Sequence, residues 1–212
     1  FDDQFLYIGI KCYDGNEEGD YIVQSLRRDF NFGQSDNFSV YLDSFGDKTN
    51  GFTFGITPLG VVREGLISYG QDVSTDWDNK WYSEVAEGDG YWTAEMKIPF
   101  KTIRYKEDVK VWNIKFIRNA LRSNERSTWP PTPQQFRLSS LAFSGQLIWD
   151  TAPPAAGANI SVIPYVSGGI EKNFEDNESA RDSYDAGFDA KIAVSSSLNL
   201  DLTVNPDFSQ VE

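Results

Sequence analysis

The sequence contains no histidine and only one cysteine, and both shortages narrow the chemistry open to it. Without histidine, the chain cannot build a Ser-His-Asp triad, a Cys-His nucleophile or a histidine-ligated zinc site. The single Cys12 cannot form a disulfide within the chain, which argues against a small disulfide-stapled scaffold and leaves the redox compartment open. Any catalysis would therefore have to be carboxylate chemistry.

Basic side chains are also few, because 19 Lys and Arg stand against 32 Asp and Glu, for a net charge of −13. A chain this acidic repels phosphate backbones, so we expect no nucleic-acid partner. No apolar run of the sequence approaches the roughly 18 residues that a membrane-spanning helix needs. The 40% of hydrophobic and 15% of aromatic residues are enough to bury a substantial core.

A two-residue alternation of apolar and polar side chains dominates the C-terminal part of the chain. It runs through Tyr184–Val194 and Leu198–Val204, and the small residues Ser195–Ser197 separate the two runs. This pattern predicts a β-hairpin. Strands with one apolar and one hydrophilic face suit an outer-membrane β-barrel, but a soluble antiparallel sheet has the same pattern, so the alternation alone leaves both open.

Short strand-like runs separated by Gly, Asp and Asn make up residues 1–149, and their spacing predicts an antiparallel, jelly-roll-like β-sandwich. Pro99–Arg104 is the one candidate helical turn, since proline suits an early helical position. The predicted strands are Leu6–Cys12, Phe38–Leu42, Phe52–Ile56, Val61–Ile67, Trp92–Ile98, Val111–Phe116 and Leu138–Leu141.

The small, Pro-rich segment 150–158 predicts a linker between the sandwich and residues 159–212, where Ile160–Ile170 is a candidate first membrane strand. Both chain ends look like cut strands, so we expect an excerpt that lacks the N-terminal strand of the sandwich and the later strands of a barrel. In bacterial barrels, long loops face outward and short turns face the periplasm. The long polar loop Glu171–Ser183 and the short turn Ser195–Ser197 therefore predict a periplasmic sandwich.

Three tryptophans lie in segments too polar or irregular to be core strands. Trp77 and Trp81 occur in Thr75–Tyr82, and Trp129 occurs beside Pro130 and Pro131. An exposed indole flanked by Asp, Asn and Arg can stack on the C–H face of a sugar ring while charged groups bind its hydroxyls. The alternative is that each indole caps an end of the sandwich core.

The acidic residues offer weaker signals. Glu95 and Glu125 are candidate carboxylates for glycoside hydrolysis, which needs two carboxyl groups at a set separation, but the sequence does not give the distance between them.

Four aspartates are candidate calcium ligands, namely Asp72, Asp76, Asp78 and Asp89. They lack the spacing of an EF-hand loop, and the alternative is that they are solvated turn residues. We therefore expect no cofactor, with calcium as the alternative, and assign no metal ligands.

Several motifs follow one another in residues 1–149, namely Asp2-Asp3, Leu6-Tyr7-Ile8, Asp36-Asn37-Phe38, Leu42-Asp43, Gly90-Tyr91-Trp92, Glu95, Ile98-Pro99-Phe100, Ile103-Arg104, Trp112, Ile114, Phe116, Arg118, Glu125, Ser127, Trp129, Gly145 and Leu147. In that order they resemble the family 9 carbohydrate-binding module-like domain, and the resemblance implies a β-sandwich that binds the ends of sugar chains between two tryptophans, often with calcium nearby. Trp129, Glu125 and Arg118 match the second half of that site, whereas Asn31–Gln34 stands where the family has its first stacking tryptophan. A sugar-contacting arginine of the family is replaced near Gly55.

The C-terminal phrase Leu202–Glu212 resembles the signature of a family of large Gram-negative outer-membrane β-barrel proteins of unknown function. Members of that family carry a family 9-like module at the N-terminus. The resemblance therefore implies that residues 159–212 are the first strands of an outer-membrane β-barrel.

Together these observations predict a non-catalytic carbohydrate-binding domain of an outer-membrane β-barrel protein, with glycan recognition coupled to envelope transport or anchoring. The candidate binding residues are Trp129, Glu125, Arg118, Trp77 and Trp81. The expected partners are an oligosaccharide or polysaccharide, outer-membrane lipid around the barrel strands, and other envelope proteins. Two alternatives remain, namely a structural plug or docking domain without a sugar ligand, and part of a carbohydrate-active hydrolase.

Overall fold

A computed structural model of the chain describes residues 1–14, 19–154, 160–171, 181–193 and 199–205. The chain divides into two compact units, Phe1–Ala156 and Gly157–Glu212. This boundary falls inside the predicted linker 150–158, of which residues 155–158 lie outside the described residues. Within the described ranges, no helix is both long and apolar enough to cross a membrane.

The first unit is built from antiparallel strands with short 3₁₀ helices at Phe32–Gln34, Phe100–Thr102 and Leu141–Phe143. The helix at Phe100–Thr102 confirms the helical turn predicted after Pro99. In chain order the strands are β1 (Phe5–Tyr13), β2 (Asn37–Asp43), β3 (Gly51–Ile56), β4 (Val62–Ser68), β5 (Asp72–Ser74), β6 (Tyr82–Gly88), β7 (Tyr91–Pro99), β8 (Val111–Ala120), β9 (Glu125–Trp129) and β10 (Gly145–Ile148).

These strands form two sheets that pack face to face. The smaller sheet has the order β1-β7-β6, and the larger has the order β10-β8-β2-β3-β4-β5, with β9 paired to β8. Side chains alternate across each strand, so the even-numbered residues of β2, β3 and β8 meet those of β1 and β7. Val40, Phe54, Ile98 and Trp112 are fully buried in this core. The prediction of an all-β, antiparallel fold is confirmed, and its architecture is that of a β-sandwich.

The other face of the larger sheet is also covered, although it is largely polar. Asn37, Asp43 and Lys115 are buried there beneath the loops that flank the sheet. The Lys115 ammonium donates hydrogen bonds to Thr132 Oγ1 and to the Phe143 carbonyl. The larger sheet is therefore shielded from water on both faces.

The prediction of a strand at Leu138–Leu141 is wrong. This segment crosses the covered face as a turn that leads into a 3₁₀ helix, and the backbone N–H of Leu141 donates to the Gly70 carbonyl. Leu141 packs against Ile117, with Leu138 at the side of the same small cluster. A further strand cannot pair with β8 at this point because β9 and β10 already pair with it.

The second unit contains three antiparallel strands, β11 (Ile160–Glu171), β12 (Arg181–Ala193) and β13 (Asn199–Val204), in that spatial order. They correspond to the predicted strand at Ile160–Ile170 and to the predicted hairpin. The turn at Ser195–Ser197 and residues 172–180 of the polar loop lie outside the described residues. As described, the sheet is open, with β11 and β13 at its edges.

Candidate functional site

Trp129, the last residue of β9, is half exposed and held in a fixed orientation. Its indole stacks on the Phe116 ring with a centroid distance of 5.7 Å and an interplanar angle of 28°, and Phe116 in turn packs on Phe38 at 5.8 Å. Both phenylalanines are partly buried against the sandwich core. The aromatic row thus extends from the core to the surface, where 51% of Trp129 remains accessible.

The hairpin between β8 and β9 sets the neighbours of this indole. Asn124 adopts a left-handed φ of 52° in the turn, and the Asp36 carboxylate accepts the N–H of Leu121 at 2.5 Å. The resulting register places Ser127 opposite Arg118. Residues directly opposite each other share a face, and diagonal neighbours lie about 7–8 Å apart.

Arg118 therefore lies between Trp129 and Glu125 on one face of this hairpin. Ser127 donates a hydrogen bond to the Glu125 carboxylate. We refer to these four residues, Arg118, Glu125, Ser127 and Trp129, as the Trp129 site. It combines an aromatic surface with a cationic donor, a hydroxyl and an anionic acceptor.

A carboxylate beside the sandwich core positions Arg118. The Nη2 atom of Arg118 lies 3.9 Å from Oδ1 of Asp14, and the Nη2 atom of Arg122 lies 3.0 Å from the same oxygen. The Tyr21 hydroxyl donates to Asp14 Oδ2 at 2.7 Å, and burial together with this hydrogen bond raises the pKa of Tyr21. A narrow cleft lies next to this cluster, lined by Tyr21, Trp92, Arg118 and Arg122 among others. Arg118 thus borders a concave surface on one side and Ser127 on the other.

Gly145 on β10 makes room for the indole. A Cβ at this position would lie 2.7 Å from Cη2 of Trp129, closer than side-chain carbons normally approach. The Trp129-Pro130 peptide bond is cis. A residue without a side chain is therefore required where the indole lies over β10.

The other two predicted site tryptophans lie elsewhere, at the core edge near β3 and β4. Trp77 packs on Phe52 at 5.3 Å, and Trp81 packs on Phe54 at 5.5 Å. Trp81 is only 9% exposed, and its Nε1 donates to the buried Glu64 carboxylate at 3.1 Å. The structure thus brings Arg118, Glu125 and Trp129 together and separates Trp77 and Trp81 from them by the width of β2 and β8.

The two candidate hydrolytic carboxylates lie on different sheets, Glu95 on β7 and Glu125 on β9. Glu95 faces solvent on the side of its sheet that points away from the core.

The candidate calcium ligands make contacts within the protein instead. Asp72 pairs with Arg137 at 2.5 Å, Asp76 accepts a hydrogen bond from Ser74 at 2.8 Å, and Asp78 lies 3.6 Å from Arg28. Across the part of the chain that the structure describes, no three Cys, His, Asp or Glu side chains cluster closely enough to hold a metal ion.

Sequence reasoning did not assign a role to Phe116 or to Gly145. The sequence did contain a signal for the role of Phe116. A four-residue loop after Ala120 pairs Ala120 with Glu125, and this register places Phe116 opposite Trp129. The contact of Gly145 with the indole depends on where β10 pairs along β8, which local sequence does not specify.

Comparisons with known proteins match the two units separately. The sequence profile of the Domain of unknown function (DUF5916) matches residues 157–212, the same residues as the second unit. Two solved structures of a family 9 carbohydrate-binding module from Caldicellulosiruptor kristjanssonii are similar to this chain, each at 14% sequence identity over 71% of its length. The one in complex with glucose has a TM-score of 0.48 with 73% of its own chain covered, and the one in complex with cellotriose has 0.47 with 72% covered. No curated protein matches the sequence.

Proposed function

We propose that the first unit is a non-catalytic carbohydrate-binding domain and that the Trp129 site holds the sugar. The observation that carries this proposal is the half-exposed indole of Trp129, fixed from behind by Phe116 and flanked by three polar side chains. Pyranose rings present a C–H face that packs on an aromatic surface, while their hydroxyls need directed hydrogen-bond partners. The Trp129 site supplies both on one face of one hairpin.

The polar residues have distinct roles in this proposal. Arg118 donates hydrogen bonds to sugar oxygens from the core side, and Glu125 accepts from hydroxyls at the far end of β9. Ser127 lies opposite Arg118 and donates a hydrogen bond to Glu125, so it orients the Glu125 carboxylate. Because the chain carries a net charge of −13, a neutral glycan is favoured over an acidic one.

The second unit supports the outer-membrane part of the proposal. Val162, Ala190 and Leu202 lie directly opposite one another across its three strands, and Phe188 lies opposite Val204. Val162, Leu202 and Val204 are exposed, whereas Ala190 in the middle strand is buried, and apolar side chains that recur on one face of every strand are what lipid contact requires. We propose that this unit forms strands of an outer-membrane β-barrel and that the sandwich lies in the periplasm, where it couples glycan recognition to envelope transport or anchoring.

The binding proposal is tested by isothermal titration of the 212-residue chain with a panel of neutral oligosaccharides, with and without calcium. We expect saturable binding that Trp129→Ala weakens by at least about tenfold, since truncation of a central aromatic residue commonly costs more than 1.4 kcal/mol. Tyr69→Asn is the matched control, because it removes an exposed ring from a turn whose left-handed φ of 51° asparagine tolerates. Absence of binding across the panel, or equal loss in both variants, would overturn the proposal and favour a structural plug or docking domain.

Protease treatment of cells that produce the whole outer-membrane protein tests the location. Digestion of the sandwich only after the outer membrane is permeabilised is expected. Digestion in intact cells would contradict a periplasmic sandwich.

A further inference from the structure

The solvent-facing side of the smaller sheet carries a second group of aromatic residues, remote from the Trp129 site. The even-numbered residues of β1 and β7 point into the core, so the odd-numbered ones face outward and are joined by even-numbered residues of β6. The cross-strand rows are Tyr7-Lys97-Tyr82, Gly9-Glu95-Glu84, Lys11-Thr93-Ala86 and Tyr13-Tyr91-Gly88, with Phe5 beyond the first. We call this surface the outer sheet face.

Aromatic side chains occupy both ends of the outer sheet face. At one end the Phe5 ring lies 6.1 Å from Tyr7 and 6.4 Å from Tyr82, and at the other Tyr13 lies 6.2 Å from Tyr91. Tyr7, Tyr13 and Tyr82 are each between 46% and 63% exposed. The Tyr7 hydroxyl also donates to Asp2 at 2.7 Å, which fixes its ring.

A lysine holds each aromatic end in place. The Lys97 ammonium lies 4.1 Å from the centre of the Phe5 ring, and that of Lys11 lies 3.7 Å from the centre of Tyr91. Such cation–π contacts are worth about 0.5–1 kcal/mol at exposed sites. These contacts favour the observed ring orientations at both ends before any partner binds.

The middle of the outer sheet face is acidic and open. Glu84 and Glu95 are exposed and directly opposite each other, an arrangement that like charges disfavour. Within the described residues, neither carboxylate makes an ion pair or a side-chain hydrogen bond. Beside them, a Cβ on Gly9 would meet no atom within 4 Å, so the space above this residue is open. Two carboxylates with unused acceptor capacity thus border an empty space between the aromatic ends.

The rings and carboxylates of the outer sheet face favour one class of ligand over the others. A protein partner would have to bury Glu84 and Glu95 directly opposite each other, and because these carboxylates offset the charges of Lys11 and Lys97, the face has no net attraction for an anionic lipid surface. A neutral sugar chain meets neither cost, because its C–H faces pack on the rings and its hydroxyls donate to the carboxylates. Tyr7 and Tyr13 are six residues apart on one strand, or about 20 Å, which is too far for a single sugar ring to span.

We propose that the outer sheet face is a second glycan-binding surface, specific for an extended, neutral polysaccharide chain. It does not depend on the Trp129 site, since the two surfaces belong to different sheets.

The test is affinity electrophoresis of the 212-residue chain in gels that contain soluble neutral polysaccharides, namely a β-glucan, a xylan and a mannan. Gly9→Val fills the open space above Gly9 with a residue that strands favour, so binding can be lost without loss of folding. Ala142→Val is the matched control, since it adds a branched side chain at an exposed position of the 3₁₀ helix Leu141–Phe143, outside the outer sheet face.

Both variants are placed in a Trp129→Ala background, so that the first site is removed. We expect retardation by at least one polysaccharide to persist in that background, to weaken by about tenfold with Gly9→Val, and to be unchanged with Ala142→Val. A disaccharide should not compete in this background, whereas a hexasaccharide should. Loss of all retardation with Trp129→Ala alone, or equal retardation of both valine variants, would overturn the second surface and leave the first intact. Binding of anionic lipid vesicles in place of polysaccharide would also overturn it.

Discussion

The buried Lys115 makes the stability of the sandwich depend on pH. Its side chain is fully buried on β8, and its only described partners are Thr132 Oγ1 and the Phe143 carbonyl, with no carboxylate among them. Burial lowers the pKa of this ammonium from 10.5 to about 8. Lys115→Met removes the charge while keeping a flexible side chain of similar length.

The sign and size of the effect follow from this shift. Between the folded and the unfolded pKa, the unfolded chain holds a proton that the folded chain has lost, so the free energy of unfolding rises with pH. The difference of roughly 2.5 in pKa is equivalent to about 3 kcal/mol. About 2 kcal/mol of this should be recovered between roughly pH 7 and 9.5, where Lys115 loses its proton in the folded protein alone.

Urea unfolding followed by tryptophan fluorescence measures the effect in the 212-residue chain, because all 6 tryptophans belong to the first unit. The free energy of unfolding of the wild-type chain should rise by about 2 kcal/mol relative to Lys115→Met over this pH range. Titrations common to both proteins cancel in the difference. Lys106→Met, which removes an exposed lysine, controls for the loss of one positive charge. A difference between wild type and Lys115→Met that changes by less than about 0.5 kcal/mol would refute the reasoning.

Three further predictions concern the core and the site. Arg28→Ala leaves the buried Glu64 carboxylate without its cation, so we expect a loss of about 2–4 kcal/mol in urea unfolding, and an effect as small as that of a surface change would contradict the contact. Gly145→Ala places a Cβ 2.7 Å from the Trp129 indole. This crowding should shift the tryptophan emission and lower the free energy of unfolding by about 1–3 kcal/mol. An unchanged emission spectrum would show that the indole does not lie over β10. Burial raises the pKa of the Cys12 thiol to about 11, so a thiol reagent near pH 8 should label it only after urea is added, and rapid labelling of the folded chain would place the thiol at the surface.

The core strands could be predicted because their side chains alternate strictly. Trp112, Ile114 and Phe116 recur every second residue, and the structure places all three on the core face of β8. The hairpin of the second unit was predictable for the same reason. Period-two patterns specify which residues share a face, but not which strands pair.

Four strands of the first unit, β5, β6, β9 and β10, escaped prediction, and β6 and β9 did so because their sequences are polar. β9 (Glu125–Trp129) pairs only with β8, and β6 (Tyr82–Gly88) lies at a sheet edge, so neither needs a continuous apolar face. Both strands nevertheless shape candidate binding surfaces, the Trp129 site and the outer sheet face. The surfaces therefore had to be found from the register of the sheets.

The positions of Trp77 and Trp81 show a different difficulty. Their segment has the composition of an exposed loop, yet both indoles pack on the phenylalanines of β3. The reason lies in Glu64, which occupies a core position on β4 and binds Trp81, Arg28 and the Asn79 N–H. A buried carboxylate that holds a polar loop against the core breaks the alternation from which core positions are predicted.

The most direct test of the binding proposal is chemical protection of Trp129. Of the six tryptophans, all within the described residues, Trp129 alone is exposed, so mild oxidation with N-bromosuccinimide should modify it first. Mass spectrometry of digested protein then reports the rate at this residue with and without saturating oligosaccharide. The account predicts that a bound sugar slows the oxidation of Trp129 and that the oxidised protein no longer binds. Equal rates with and without a sugar that demonstrably binds would contradict a binding site at Trp129.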